Sequence, residues 1–323
     1  MRDLRSELKL AEWKEGGTVT RPFVRYPYAQ PSPGRVWQVD ISQNKVNLSV
    51  IIPTSDAYRG GYFLKLLTQI SAQDFPHFEL IVVHGDPRQG RAINIGAALA
   101  KGKYILTLDD DTSLSGSSTF SKLVAIMDAH PDIGIAGGNN VIPDDATAFV
   151  KNTMRQIPRR SWEPVQTITN SDLAEHPCMI MRTAELKSVG GENELIPRGL
   201  DPYLRQVFRE IGKRIVVVPD VMYHHLPPSS WRSLIRQYFR NGTQGAWVNR
   251  HNPQWIIQTP CHHGEFVKIL PLWKRIVRYP RDLVRSFLKG QWIWFVCQLS
   301  YASGFIFGLF TGACEVSPGG RHQ

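Results

Sequence analysis

Three consecutive aspartates, Asp109, Asp110 and Asp111, interrupt the stretch YILTLDDDTS at 104–113. Like charges this close repel one another, and no lysine or arginine follows at once. In extended chain, residues two apart point the same way. Asp109 and Asp111 can therefore address one ion together, while Asp110 faces elsewhere. Hard divalent cations such as Mg2+ or Mn2+ take carboxylate oxygens and bridge readily to phosphates. The competing use of such residues is a helix N-cap ahead of SSTFSKLVAIM, but a cap takes one side chain rather than three.

The surrounding pattern says what must carry this cluster. NLSVIIPT, ELIVVHGD, KYILTLDD and IGIAGG read as strands. Phe63, Leu66, Leu67 and Ile70, then RAINIGAALAKG, then Phe120, Leu123, Val124 and Met127, read as the helices between them. Such alternation implies an α/β fold with a mostly parallel, doubly wound (Rossmann-like) sheet and helices on both faces. Ligands of such sheets sit at the carboxyl ends of strands, where the aspartates fall. Residues 141–176 read as irregular. CMIMR (178–182) resumes a strand. Leu204, Val207, Phe208 and Ile211 make a helix ending at Gly212, and RIVVVP is a further strand. The proline-punctuated residues 1–45 read as an arm. The expected division is an extension over 1–45, a catalytic domain over 46–250 and a basic, apolar segment over 251–323.

LSVIIPTSD, ELIVVHGD, GRAINIGAALAKGKYILTLDDD and VGGENELIPRGLDPYLRQVFREIGKRIVVVPDVMYHH, in that order, resemble the successive blocks of a family 2 glycosyltransferase with a GT-A fold. The resemblance spans roughly residues 47–245. It implies that Asp109 and Asp111 form the DxD motif. They would bind the Mg2+ or Mn2+ that carries a nucleotide-diphospho-sugar, with a UDP-sugar the first choice. Asp201 takes the position of the catalytic base, which removes a proton from an acceptor hydroxyl as that oxygen attacks the anomeric carbon. Leu200 and Tyr203 replace the acidic residues that usually flank it. Asp201 also precedes Pro202, as a residue at a helix start would. In YHH, His224 or His225 joins the metal, and the spacing does not choose between them. RQYFRNG resembles a degenerate QxxRW block in which Gln237 and Arg240 match and Asn241 stands for tryptophan. An arginine there suits a leaving diphosphate. Pro53, Thr54 and Asp56 occupy the usual nucleotide-pocket loop, and Asp86 and Asn94 are further candidate donor contacts. Asp86 stands in His84-Gly85-Asp86 where the family often has Asp-Asp, and Ile93 replaces the usual arginine before Asn94.

The formal net charge is +10 and hydrophobic residues make up 42% of the chain, which favours an anionic partner and excludes wholesale disorder. The basic residues gather late, at Lys268, Lys274, Arg275, Arg278, Arg281, Arg285 and Lys289, and no nucleic-acid motif accompanies them. They precede the uncharged run QWIWFVCQLSYASGFIFGLFTGA (291–313), long enough to span a bilayer. Ser300, Gly304, Gly308 and Gly312 recur every four residues and would let a helix pack closely. Trp292 and Trp294 suit an interface, and the basic segment suits anionic headgroups. The competing use of 291–313 is a buried helix packed on the catalytic domain. The charged N-terminus is unlike a signal peptide. Cys178, Cys261, Cys297 and Cys314 form no CxxC pair, and Cys261-His262-His263 has no second pair nearby to make a zinc site. The leading expectation is an inverting sugar transferase at the cytoplasmic face of a membrane, held as a monotopic protein or by one C-terminal span. It would act on a lipid-linked or growing glycan in cell-surface polysaccharide synthesis. The alternatives are nucleotidyl transfer on a similar sheet, or a catalytically silent glycan-binding or scaffold protein.

Overall fold

The structure, a computed structural model, describes residues 2–42, 45–197, 199–251 and 271–311. Cys261, His262, His263, Lys268, Gly312 and Cys314 lie outside the described residues. The strands are β1 (Lys14–Glu15), β2 (Arg35–Asp40), β3 (Leu48–Thr54), β4 (Phe78–His84), β5 (Tyr104–Thr107), β6 (Thr112–Leu114), β7 (Ile133–Asn140), β8 (Thr169–Asn170), β9 (Met179–Arg182) and β10 (Arg214–His225). The helices are α1 (Leu4–Leu10), α2 (Tyr62–Ser71), α3 (Gln89–Leu99), α4 (Thr119–Ala129), α5 (Ala148–Gln156), α6 (Thr183–Ser188), α7 (Asp201–Glu210), α8 (Trp231–His251), α9 (Leu272–Leu288) and α10 (Trp292–Thr311). By packing the chain forms two units. Met1–Val141 and Glu163–His225 make the first, and Ile142–Trp162 with the helices after Leu226 make the second.

The first unit is built on one sheet of order β1-β2-β4-β3-β5-β9-β7-β10-β6, with β8 also on β10. The expected parallel arrangement holds for β3 with β4 and β5, and for β7 with β10. Between these two groups β9 runs antiparallel to both β5 and β7, so the sheet is mixed. Part of the N-terminal arm is also in the sheet: β2 pairs antiparallel with β4, from Arg35 opposite His84 to Asp40 opposite Glu79. Trp37 and Val39, two apart on one face, join the core, a pattern masked in the sequence by the prolines around it.

Alternation along each strand divides the core between two faces. Val50, Ile52, Leu80, Val82 and Leu106 meet Phe63, Leu66, Leu67 and Ile70 of α2 and Phe120, Leu123 and Met127 of α4. The opposite face of β3 meets α3: a Cβ at Gly96 would stand 2.6 Å from Cγ2 of Ile51, so α3 lies too close for any larger residue there. The long strand β10 carries a register shift between Val217 and Met222, with Asp220 at φ 58°. The Asn139 amide donates to the carbonyls of Val218 and Val221, which satisfies the bulge. Beyond the bulge, β10 turns its last residues onto β6, with His225 opposite Thr112.

In the second unit, Ile157, Leu234, Ile293 and Cys297 form a small core. The small residues of α10 are used here. A Cβ at Gly304 would stand 2.0 Å from the Phe239 carbonyl, and Ser300 Oγ donates to the Ile235 carbonyl at 2.7 Å. The whole of α8 therefore groups with α10, although the sequence pattern places residues 226–250 with the catalytic domain.

Candidate active site

Four elements of the first unit bring polar groups to the carboxyl end of its strands. β5 ends at Thr107, and the chain turns at once, the amide of Thr112 donating to the Asp109 carbonyl at 3.0 Å. Asp109 accepts from Nε2 of Gln89, the first residue of α3, at 2.8 Å. Asp110 points to the other side, accepting from the Thr54 hydroxyl at 2.7 Å. The loop after β3 folds over the turn. Asp56 accepts from the amides of Tyr58 and Arg59, and Arg59 donates through Nη2 to Asp111 at 2.9 Å. Ala57 and Arg59 hold positive φ in this loop, a conformation that L side chains rarely adopt and that calls for compensation.

The paired register of β10 and β6 turns the two histidines in opposite directions. His225 Nε2 lies 3.2 Å from Asp111 and 4.0 Å from Asp109. His224 faces the other way, its Nδ1 2.8 Å from the Val141 carbonyl and its Nε2 3.0 Å from Ser115 Oγ. One ligand atom from each of Asp109, Asp111 and His225 can be chosen so that all lie within 4.8 Å of one another. That is slightly more than twice a hard-cation bond length of about 2.1 Å. Two carboxylates and an imidazole are a donor set that Mg2+ or Mn2+ accepts, so the residues fit such an ion.

The charges of the cluster are unevenly placed. Burial pushes Asp109 up to about 7, with Asp111 and Asp201 adding to the shift and His225 and His176 opposing it. Burial likewise pushes Asp110 up to about 6, eased by Arg59. Burial also raises Asp111, but His225 and Arg59 outweigh it and hold that carboxyl well below the usual range. Arg59 and His225 thus face three carboxylates, and Asp109 is the one left short of positive charge.

Next to this turn stands a second group. Asp201, at the start of α7, accepts from the His176 amide at 2.8 Å, and His176 Nε2 is 4.0 Å from the same oxygen. That Nε2 is 3.1 Å from Oε1 of Glu192, and Nδ1 is 3.2 Å from the Thr107 hydroxyl. Burial opposes charge on His176, but Asp201 and Glu192 override it and raise the imidazole to about 9. Burial alone would raise Asp201, and His176 with Arg205 brings it below its ordinary value.

Residues 84–189 match the profile described as glycosyl transferase family 2. They form a family 2 glycosyltransferase domain. A mannosyltransferase from Pyrobaculum calidifontis, solved with GDP-Man and Mn2+, is similar in structure. Its TM-score is 0.52 at 13% identity, over 90% of this chain and 92% of that one. At such identity the likeness speaks for the fold, which is GT-A. TarS from S. aureus gives a TM-score of 0.43 at 18% identity over 63% of this chain, which covers 40% of the TarS chain. TarS 1–349 in complex with UDP-GlcNAc gives 0.43 at 19% identity, over 63% of this chain and 67% of that one. No curated protein sequence matches the chain.

Thr54, Asp56, Asp109, Asp111, His225 and Asp201 come from distant parts of the sequence to one end of the sheet. Pro53, half-buried at the end of β3, begins the same loop. Asp86 and Asn94, expected on the donor, are engaged otherwise. The Asp86 carboxylate is enclosed and bound by Arg91 through Nε at 2.8 Å and Nη2 at 2.9 Å, with Ser32 and the Arg88 amide on the same oxygens. Tyr28 covers the Arg88 guanidinium at 3.7 Å, so the N-terminal arm occupies this place. Asn94 is fully buried and clamps the peptide of Glu192, donating to its carbonyl at 2.9 Å and accepting from its amide at 2.8 Å. Gln237 and Arg240 lie on α8, and Gln237 accepts from Arg160 at 2.9 Å within the second unit. Sequence reasoning missed Arg59, Gln89, His176 and Glu192. Only Arg59 carried a local signal, the glycine pair Gly60-Gly61 that shapes its loop.

Proposed function

We propose that this glycosyltransferase inverts the sugar it transfers, moving it from a nucleotide-diphospho-sugar, with a UDP-sugar the first choice, to a lipid-linked or growing glycan in cell-surface polysaccharide synthesis. The observation that supports this reading best is the convergence of Asp109, Asp111 and His225 with Asp201 at one end of a GT-A sheet. Nucleotide sugars also accompany similar structures, as GDP-Man with Mn2+ and as UDP-GlcNAc. Asp109, Asp111 and His225 would hold Mg2+ or Mn2+, which neutralises diphosphate charge when bound. Arg59, already drawn to Asp111, is placed to exchange that carboxylate for a phosphate oxygen. Asp201 takes the proton of the acceptor hydroxyl as the oxygen bonds to the anomeric carbon. The bond from that carbon to the diphosphate breaks, and the electron pair leaves with the phosphate. Gln237 and Arg240 are assigned to the departing diphosphate on the RQYFRNG pattern.

The second unit supports attachment to an anionic membrane surface, which we assign to the cytoplasmic face. α10 is a 20-residue helix long and apolar enough to cross a bilayer. α9 presents Trp273, Ile276, Val277, Val284 and Leu288 on one exposed stripe, flanked by the exposed Lys274, Arg278, Arg281 and Arg285. A helix of that pattern lies in the headgroup plane.

Nucleoside-diphosphate release, measured over a panel of nucleotide sugars with Mn2+, tests the transferase. Pyrophosphate release would replace it with nucleotidyl transfer, and donor binding without turnover with a silent glycan-binding protein. Flotation of the full chain with anionic and with neutral vesicles tests the membrane reading. Recovery only in the unbound fraction would remove it.

A further inference from the structure

The base assigned above is held by residues with no part in the chemistry so far. The chain reaches them through Gly190 and Gly191, at φ 94° and 66°; a Cβ on Gly191 would stand 2.5 Å from Asn94 Oδ1. That turn delivers Glu192 to the interior, where Asn94 binds both sides of its peptide. The Glu192 side chain is fully buried, and neither carboxylate oxygen has a hydrogen bond among the described residues. A buried carboxylate without donors is costly, and here its counter-charge is the His176 ring at 3.1 Å. The other ring nitrogen is at the Thr107 hydroxyl, directly below the acidic turn. The ring is thus fixed from two sides, and its remaining neighbour is Asp201 at 4.0 Å, which the amide of the same residue already holds.

We propose that His176 and Glu192 are positioning residues of this enzyme: Glu192 seats the His176 ring as a cation, and His176 orients Asp201 and keeps it ionised for the acceptor proton. The proposal rests on Asp201 as the base. Burial would otherwise raise Asp201. The groups facing it are His176, Arg205 of its own helix, Asp109 of the acidic turn and Tyr223 of β10. Those facing His176 are Asp201, Glu192, Asp109 and Thr107, while Tyr203 approaches Glu192. Arg205 also lowers Asp201, but it donates to the Ala174 carbonyl and lies near Asp172, and His176 is the larger of the two influences.

The sign of the pH effect follows. Transfer needs Asp201 ionised, and the imidazolium lowers the carboxyl pKa. Neutralising it raises that pKa and moves the acid limb of the rate profile to higher pH. Four full-length proteins decide the matter: the parent, His176→Gln, Glu192→Gln and Asp201→Asn, each assayed with Mn2+ and the donor selected above. Donor binding by calorimetry reports the fold and the metal site separately. For His176→Gln we expect donor affinity within about twofold of the parent, transfer lower by roughly 10–100-fold at pH 7, and the acid limb shifted up by about one pH unit. Glu192→Gln, which leaves the ring without its counter-charge, should shift the limb in the same direction by less. An unmoved acid limb in both variants, with Asp201→Asn inactive, would overturn the positioning role and leave the base intact. Near-parent transfer by Asp201→Asn would overturn the base and this role together.

Discussion

The acidic turn at Asp109–Asp111 and the pocket at Asp201 hold carboxylates in neighbouring parts of one unit, under opposite conditions. At the turn, Arg59 and His225 face three aspartates, and both lie closest to Asp111. Asp109 accepts from the neutral amide of Gln89, and burial raises it to about 7. Around Asp201, every negative charge has a fixed partner: Glu192 has His176, Asp201 has His176 and Arg205. One group is short of positive charge, whereas the other is balanced by its own side chains. On the function proposed above, the difference means that a donor site is left for its ligand to balance, while a base is ionised beforehand.

The largest effect should come from the incomplete group. Asp109→Asn and Asp111→Asn each remove a cation ligand while keeping shape, and donor turnover should fall by about 10³-fold at limiting Mn2+. Asp201→Asn should lower acceptor transfer by about 10²-fold with donor binding kept. Calorimetry beside transfer rates separates the two, and loss of donor binding in both would erase the distinction between the groups.

A smaller effect divides the two histidines. His225→Ala should weaken Mn2+ affinity by at least about tenfold, since even partners outside a metal's ligand shell matter to that degree. His224→Ala should leave affinity within about twofold, because its ring is turned to Val141 and Ser115. Equal losses in titrations of the two variants would refute the register argument.

Stability against pH sharpens the comparison further. The raised values of Asp109 and Asp110 mean that their ionisation costs stability as pH climbs from their ordinary value, 3.8, through about 6 and 7. Asp111 has the opposite sign, but its transition lies well below pH 4. His176 contributes stability that is present below 6.5 and lost only as pH rises through about 9. Between pH 5 and 7 the aspartates therefore dominate. The thermal midpoint without cation should fall across that window by about a few degrees, and Mn2+ should restore it. Asp109→Asn should flatten the decline. A midpoint that rises across the window would contradict the charge deficit.

The smallest effect belongs to Asp110. Its partner is Thr54, on the far side of the turn, so Asp110→Asn should leave turnover within about threefold of the parent. A loss as deep as that of Asp109→Asn would mean that all three carboxylates act on one ion.

Much of this was legible in the chain. The 3.6-residue spacing of Phe63, Leu66, Leu67 and Ile70 emerges as α2, which buries one face, and the apolar run NLSVIIPT emerges as β3, which is buried on both. Asp110 does face away from Asp109 and Asp111, but in a turn after β5 and not in the extended backbone that the spacing argument assumed. The place of β2 was hidden because strand pairing with β4 is a non-local fact, and its flanking Pro31, Pro33 and Gly34 read as loop. Asp86 and Asn94 were donor candidates through the family resemblance alone. Both side chains instead satisfy internal partners that lie far along the chain, Ser32 for one and Glu192 for the other.

By itself the sequence determines which residues can do chemistry and the order of the elements that carry them. Residue type fixes charge and ligand class, and local periodicity fixes side-chain direction within one strand or helix. It thereby names the Asp109–Asp111 pair and the Asp201 position, and leaves His224 and His225 equal. The tertiary structure alone decides between them, because a bulge near Asp220 and the pairing of His225 with Thr112 set which ring turns to the carboxylates. It alone sets the charge state of each carboxyl, since burial and counter-charges come from residues such as Arg59, His176 and Glu192 that no spacing links to the motif. Electrostatic energy depends on distance through space, and that distance exists only once the sheet has brought those residues together.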